Sequence, residues 1–215
     1  RPARNGGVVE EPLPIVLTRT PYDKSNSEQA RWFASQGYVS VVQDTRGRFK
    51  SEGEFTKYND YDAPDGYDTI EYLASLPYTL PMVGMYGTSY GAHTQADAAK
   101  MNPPSLKTIV VNMGGLHDAW GEKVRSGGAF ELGQQLGWAF DNLRSETDDG
   151  VVREMLSIEN VTDWYDVWPL RKGLNPLSVA PNFEQYVFEQ FMLGDYEHFK
   201  GIGENWKEYF DQTAD

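Results

Sequence analysis

The sequence predicts an α/β core built on a parallel sheet, followed by an all-helical lid. Three observations carry that prediction. Short Val- and Ile-rich runs alternate with amphipathic stretches up to about residue 115, and beyond Gly115 helical periodicity takes over with no comparable run. Within the first part, one apolar run passes straight into a serine flanked by glycines, and a small-residue helix leaves it. Strand, helix, strand in repetition is the pattern of a parallel sheet with right-handed crossovers. Residues 1–115 are therefore assigned to the core and residues 116–215 to the lid.

The four runs are Pro14 to Thr18 (PIVLT), Tyr38 to Gln43 (YVSVVQ), Met82 to Tyr86 (MVGMY) and Lys107 to Val111 (KTIVV). They are apolar without clean alternation, as expected of strands buried on both faces. Between the first two, Ser25 and Glu28 form a capping-box pattern and Gly37 stands where a C-terminal cap belongs. Ala30, Phe33 and Ala34 give that helix one apolar face. Asp65 is expected to open a second helix, with Tyr67, Ile70, Leu73 and Ala74 on its buried side and Pro77 beyond its end. A third runs from Gly91 through Ala92, Ala96 and Ala99 to about Lys100. In the lid, Leu132, Leu136, Ala139, Phe140 and Leu143 share one helical face. Val151 to Ile158, Phe183 to Leu193 and Glu204 to Phe210 are shorter helical candidates.

Composition narrows the function. The 215 residues carry 19 basic and 32 acidic side chains, a net charge of −13, which disfavours nucleic acid and anionic membrane surfaces as partners. With 40% hydrophobic and 13% aromatic residues the chain can fill a core. No apolar run approaches the roughly 18 residues needed to span a bilayer. Cysteine is absent, which excludes disulfides, thiolate metal sites and a thiol nucleophile. The first residue is Arg1 and no signal peptide is evident, but a removed N-terminus would look the same. A soluble protein, either cytoplasmic or exported, fits.

The chemistry sits in Gly87-Thr88-Ser89-Tyr90-Gly91, which matches G-x-S-x-G. The pentapeptide alone is weak, but its strand-turn-helix setting is the one a nucleophile elbow requires. A serine on so sharp a turn needs neighbours without bulk, and Gly87 and Gly91 meet that need. Ser89 would then stand at a helix N-terminus with the Tyr90 N–H facing a developing oxyanion. A second oxyanion donor is expected from the loop after the first strand, Arg19-Thr20-Pro21-Tyr22-Asp23-Lys24. Tyr22 offers a phenol there; packing at the sheet edge would explain it equally well.

LTRTPYDK (17–24), GYVSVVQDTRGRFKSEGEF (37–55), DGYDTIEYL (65–73) and VGMYGTSYGAHTQ (83–95) resemble the cocaine esterase/X-Pro dipeptidyl-peptidase group of α/β-hydrolases, the CocE/NonD hydrolases. The resemblance is dense over residues 14–115 and thins through the lid, where GGAFELGQQLGWAF (127–140) and Trp206-Lys207 still look similar. It implies an α/β-hydrolase core in which Ser89 is the acyl-accepting nucleophile. It also implies an oxyanion hole made by the Tyr22 hydroxyl and the Tyr90 backbone N–H. The Asp44-Thr45-Arg46-Gly47-Arg48 run reads as mainly structural, with substrate contact by Arg46 the lesser alternative.

A serine needs a base, and the base an orienting acid. His93 follows Ser89 on the same helix, His117 lies at the lid entry, and His198 falls among acidic lid residues. Each reads as a solvated or supporting histidine, with His117 the least implausible substitute. The related hydrolases carry the acid near G-W-Y-D and the histidine near G-P-W-x-H, and neither motif occurs here. The resemblance thus implies that the triad Asp and His are absent from this chain, and that it is an interior piece of a longer hydrolase. That piece would be nearly inactive alone, since loss of the triad His costs on the order of 10⁶-fold. Its fourth strand would also keep an open apolar edge.

Other candidates are weaker. Asp60, Asp62, Asp65 and Asp68 lack the glycine and terminal glutamate of a calcium loop and read as capping or solvated groups. Glu146, Asp148 and Asp149 read as a solvated loop. Trp120, Phe130, Trp138, Phe140, Trp164, Tyr165 and Trp168 read mostly as packing, with Trp138 and Phe140 the candidates for an acyl pocket. No phosphate loop, dinucleotide fingerprint or zinc spacing occurs, so neither a cofactor nor a metal is implied. The expectation is a serine hydrolase cleaving an ester or amide through an acyl-enzyme, most simply a carboxylesterase. An X-Pro dipeptidyl-peptidase or an α-amino acid ester/β-lactam acyl hydrolase is the alternative, and a non-catalytic binding or scaffold fragment is the alternative of another class. The expected partners are a small ester or short peptide and the remainder of the same hydrolase, with homo-oligomerisation left open.

Overall fold

A computed structural model describes residues 2–4, 7–114, 124–146, 150–166, 169 and 171–191. The chain opens with a short antiparallel ribbon, β1 (Ala3–Arg4) and β2 (Gly7–Val8). Then follow β3 (Leu13–Thr20), α1 (Glu28–Ser35), β4 (Val39–Asp44), α2 (Asp62–Ala74), β5 (Thr79–Thr88), α3 (Tyr90–Lys100) and β6 (Leu106–Asn112). Strands β3 to β6 form one parallel sheet in the order β4-β3-β5-β6. All four expected strands are present; β3, β5 and β6 are a few residues longer than their apolar runs, and β4 is the same length shifted by one residue.

The chain divides into two compact units. The first takes residues up to Gly53 and from Asp60 through β6, and the second takes Glu54–Asn59 with the described residues from 124 onward. In the first, α2 and α3 cover one face of the sheet. Ile15, Leu17, Val39, Ile70, Leu73, Val83, Met85 and Ala98 interlock there as its core. Alanines at 92, 96 and 99 keep α3 thin enough to lie close. Gly66 serves the same end, since a Cβ there would stand 2.6 Å from that of Ala98. Successive strand residues point to opposite faces, so Tyr86 lies opposite Met85, where its ring meets Phe33 of α1 at 4.9 Å.

Three local expectations need correction. Ser25 does not cap α1: its N–H and Oγ both bond to Asp23, and Ser27 holds the cap position. Helix α2 begins at Asp62 rather than Asp65, because Asp62 is drawn into the interior by Arg19. Strand β6 is not buried on both faces, for Val110 is 60% exposed.

In the second unit, α4 (Leu132–Glu146) buries Leu136, Ala139, Phe140 and Leu143, as the spacing predicted. It is followed by α5 (Gly150–Ile158), two 3₁₀ turns at Val161–Asp166 and Pro176–Val179, and α6 (Pro181–Gln185). A π-type turn over Tyr186–Phe191 replaces the regular continuation expected toward Leu193. The ring of Phe55, from the segment Glu54–Asn59, stacks on Trp138 at 6.0 Å and meets Phe183 and Tyr186, each at 6.4 Å. No strand occurs among the described residues of this unit. Leu193, Glu204 to Phe210 and Trp206-Lys207 lie outside the described residues.

Candidate active site

The order β4-β3-β5-β6 means that the chain leaves β3 toward one edge and β5 toward the other. A sheet wound this way opens a crevice at the carboxyl ends of the two central strands. Tyr22 stands two residues beyond β3 and Ser89 immediately beyond β5. A cavity of about 490 Å³ opens at this point, lined among others by Thr20, Tyr22, Asp23, Thr88, Gly91 and Asn112.

Ser89 occupies a backbone conformation of φ 58° and ψ −119°, which side-chain-bearing residues rarely adopt. The strain is enforced from both sides. Its N–H donates to Asn112 O at the end of β6 at 3.0 Å, and its carbonyl accepts from Ala92 and His93 in the first turn of α3. Gly87 makes the turn sterically possible, because a Cβ there would lie 2.6 Å from Gly91 O. The serine is exposed.

Tyr90 opens α3, so its N–H belongs to the first turn, where amides point out of the helix. Its side chain is buried, and the hydroxyl donates to Asp62 Oδ2 at 2.8 Å. Arg19 donates to the Asp62 carbonyl at 2.7 Å and approaches its Oδ1 at 3.7 Å, while Arg19 Nε bonds Gln43 at 2.9 Å. Asp62, expected to be a capping or solvated acid, is thus a buried member of a network beneath the serine turn. Its sequence neighbour Asp65 is paired with Arg46, whose guanidinium also lies over the Tyr61 ring at 5.0 Å. That pair holds Arg46 at the surface.

Tyr22 is 40% exposed, with its N–H bonded to Thr20 Oγ1 at 3.0 Å. Asp23 beside it has φ 78°, and the Ser25 hydroxyl and N–H hold its carboxyl below the usual range. The cavity therefore carries a fixed negative charge at neutral pH.

His93 is buried on α3, its ring 6.3 Å from that of Tyr90 and its Nε2 turned toward Gly114. His117 and His198 lie outside the described residues, as do Trp120 and Trp168. Trp138 and Phe140 belong to the second unit. Phe140 is fully enclosed, and Trp138 is half-buried with Lys57 Nζ 4.2 Å above its ring. Lys57 escaped the sequence reading. It is buried, bonded to Gln135 Oε1 at 3.0 Å, and burial pushes its ammonium pKa down to about 7. Its position between Phe55 and Tyr58 was the available signal.

A profile of the X-Pro dipeptidyl-peptidase (S15) family matches residues 1–163. Cocaine esterase from Rhodococcus sp. (strain MB1 Bresler) is 36% identical over 135 residues, which cover 60% of this chain and 23% of that protein. The structure of an α-amino acid ester hydrolase aligns with TM-score 0.53 and 27% identity, covering 64% of this chain and 26% of that one. A CocE/NonD family hydrolase from Staphylococcus aureus shares the fold, with TM-score 0.57 at 22% identity over 70% of this chain and 32% of that one. The chain spans about a quarter of the length of the curated relative it matches. Because the profile match runs from the first strands through the turn at Ser89 and into the helical unit, the chain belongs to the X-Pro dipeptidyl-peptidase (S15) family.

Proposed function

We propose that these residues carry the nucleophile half of a cofactor-free serine hydrolase that cleaves an ester through an acyl-enzyme. The observation that carries the reading is the strained conformation of Ser89, φ 58° and ψ −119°, in the turn whose Thr88 and Gly91 line the same cavity as Tyr22. Strain of this kind persists only where the surroundings impose it, and it gathers at reacting groups. Ser89 Oγ attacks the substrate carbonyl carbon as its proton passes to a base. The resulting oxyanion is held by the Tyr22 hydroxyl and the Tyr90 N–H, and its collapse expels the alcohol and leaves the acyl-enzyme for water to hydrolyse. The base and its orienting acid are not assigned among the described residues. Ester is read ahead of peptide because the curated relative is an esterase.

Fluorophosphonate labelling of the full-length protein with peptide mapping tests the reading. An adduct on Ser89 that Ser89→Ala abolishes is expected. A folded full-length sample that takes no label would return the chain to a binding or scaffold role. Tyr22→Phe is expected to lower turnover by about 10²-fold, and unchanged turnover would make Tyr22 a packing residue.

A further inference from the structure

A hydroxyl that must meet a developing oxyanion has to be held to within about half an ångström, and a loop alone does not supply that precision. Tyr22 stands on a loop, yet the chain on both sides of it is gripped by the last residue of β4 and the segment that follows. Before it, Arg48 Nε donates to the Pro21 carbonyl at 2.9 Å from a fully buried guanidinium. After it, the Lys24 N–H donates to Asp44 Oδ1 at 2.7 Å, and the Lys24 ammonium meets Asp44 Oδ2 at 2.5 Å. The Thr45 N–H bonds Thr20 O at 2.9 Å, extending the contact between the two segments to the residue before Pro21. The gripping segment is itself fixed. Asp44 is 2% exposed, its carbonyl accepts from Ser51 Oγ at 2.8 Å, and the Arg48 N–H closes a turn on Thr45 O at 3.1 Å. Pro21 is buried, while Tyr22 is exposed and lines the cavity.

We propose that Asp44 and Arg48 are positioning residues that fix the Tyr22 hydroxyl for oxyanion binding, an inference that rests on the hydrolase reading above. Neither side chain touches substrate. Such a clamp governs how well the donor meets the transition state, so its loss registers in kcat more than in KM. The loss should also vanish once the donor itself is gone.

A double-mutant cycle on the full-length protein, with p-nitrophenyl acetate as the probe, tests this. Asp44→Asn keeps an oxygen for the Lys24 N–H but loses the ion pair, and Arg48→Lys keeps the charge but loses the Nε donor. Lys24→Met breaks the ion pair from its solvent side and so spares folding. Each is expected to lower kcat about tenfold with KM within about twofold. Each should cost less than about twofold when Tyr22 is already Phe, and Lys24→Arg should restore kcat. Losses that multiply in both backgrounds, or clamp variants with unchanged kcat, overturn the proposal and leave the serine hydrolase reading standing. Should Tyr22→Phe itself leave kcat unchanged, the oxyanion role of Tyr22 falls, and the clamp with it.

Discussion

The hydroxyl of Tyr90 donates a 2.8 Å hydrogen bond to Asp62 Oδ2, tying the residue after the serine to the first turn of α2. Both groups are buried, so the bond is charge-assisted and unscreened by water. It also fixes the ring of Tyr90 in the interior, next to the amide proposed above as an oxyanion donor.

Tyr90→Phe removes that donor and leaves the carboxylate to Arg19. A hydrogen bond to a charged group is worth about 1.5–3 kcal/mol, and the urea midpoint is expected to fall by the corresponding amount with an unchanged slope. Asp62→Ala goes further, since it also removes the carboxylate facing the buried Arg19 guanidinium, which keeps its bonds to the residue-62 carbonyl and Gln43. The loss is expected to approach the about 3–5 kcal/mol of a buried pair broken from one side. Equal losses in the two variants would mean that Arg19 does not depend on the carboxylate.

Gly87→Ala places a methyl group 2.6 Å from Gly91 O and 2.8 Å from its carbonyl carbon. Both are backbone atoms in the first turn of α3, so relief requires strand and helix to move apart. Overpacking of this kind costs about 1–3 kcal/mol, and the movement displaces Ser89. Labelling of Ser89 by fluorophosphonate is expected to slow by at least about tenfold in protein that still unfolds cooperatively. Gly150→Ala, where a Cβ meets nothing within 4 Å and the backbone is not left-handed, is the steric control.

The sheet and the serine turn were legible because their causes are local. Apolar runs mark the strands, and two glycines around a serine after such a run leave few other conformations. The polar network was not legible, because a carboxylate bound by arginine is written in the same letter as a solvated one. Arg19 lies 43 residues from the Asp62 carbonyl that it bonds. Ser25 misled for a related reason: its hydroxyl could have served Glu28 and the helix, but Asp23 next to it offered a closer acceptor. Lys57 shows the same limit, since only the fold sets a lysine among Trp138, Tyr58 and Gln135.

Strand β6 pairs on one side only among the described strands, and its surroundings are apolar. Val110 is 60% exposed, Met113 76% and Met82 48%. An unpaired edge beside exposed apolar side chains is a template for another chain. Expressed as these 215 residues, the protein is expected to self-associate with rising concentration in sedimentation velocity, and Val110→Lys to suppress it. A monomer at all concentrations would show that this edge is covered.

Lys57 gives the fold a pH dependence whose sign can be worked out. Burial lowers its pKa from 10.5 to about 7. Above pH 10.5 the amine is neutral whether folded or unfolded, and it costs nothing. As the pH falls from there, the unfolded chain takes up the proton first, and the folded chain does so only near pH 7. Stability is therefore lost progressively between pH 10.5 and about 7, and the loss is complete below that. At 1.36 kcal/mol per pKa unit, its size is on the order of several kcal/mol. Lys57→Met fills the same space without the charge, so it is expected to raise stability at pH 7 and to flatten the slope between pH 7 and 10. Urea midpoints followed by the fluorescence of Trp138, which lies 4.2 Å from the ammonium, report on this unit directly. An unchanged slope in Lys57→Met would mean that the lysine keeps its proton in the fold, held by Gln135 and the Trp138 ring.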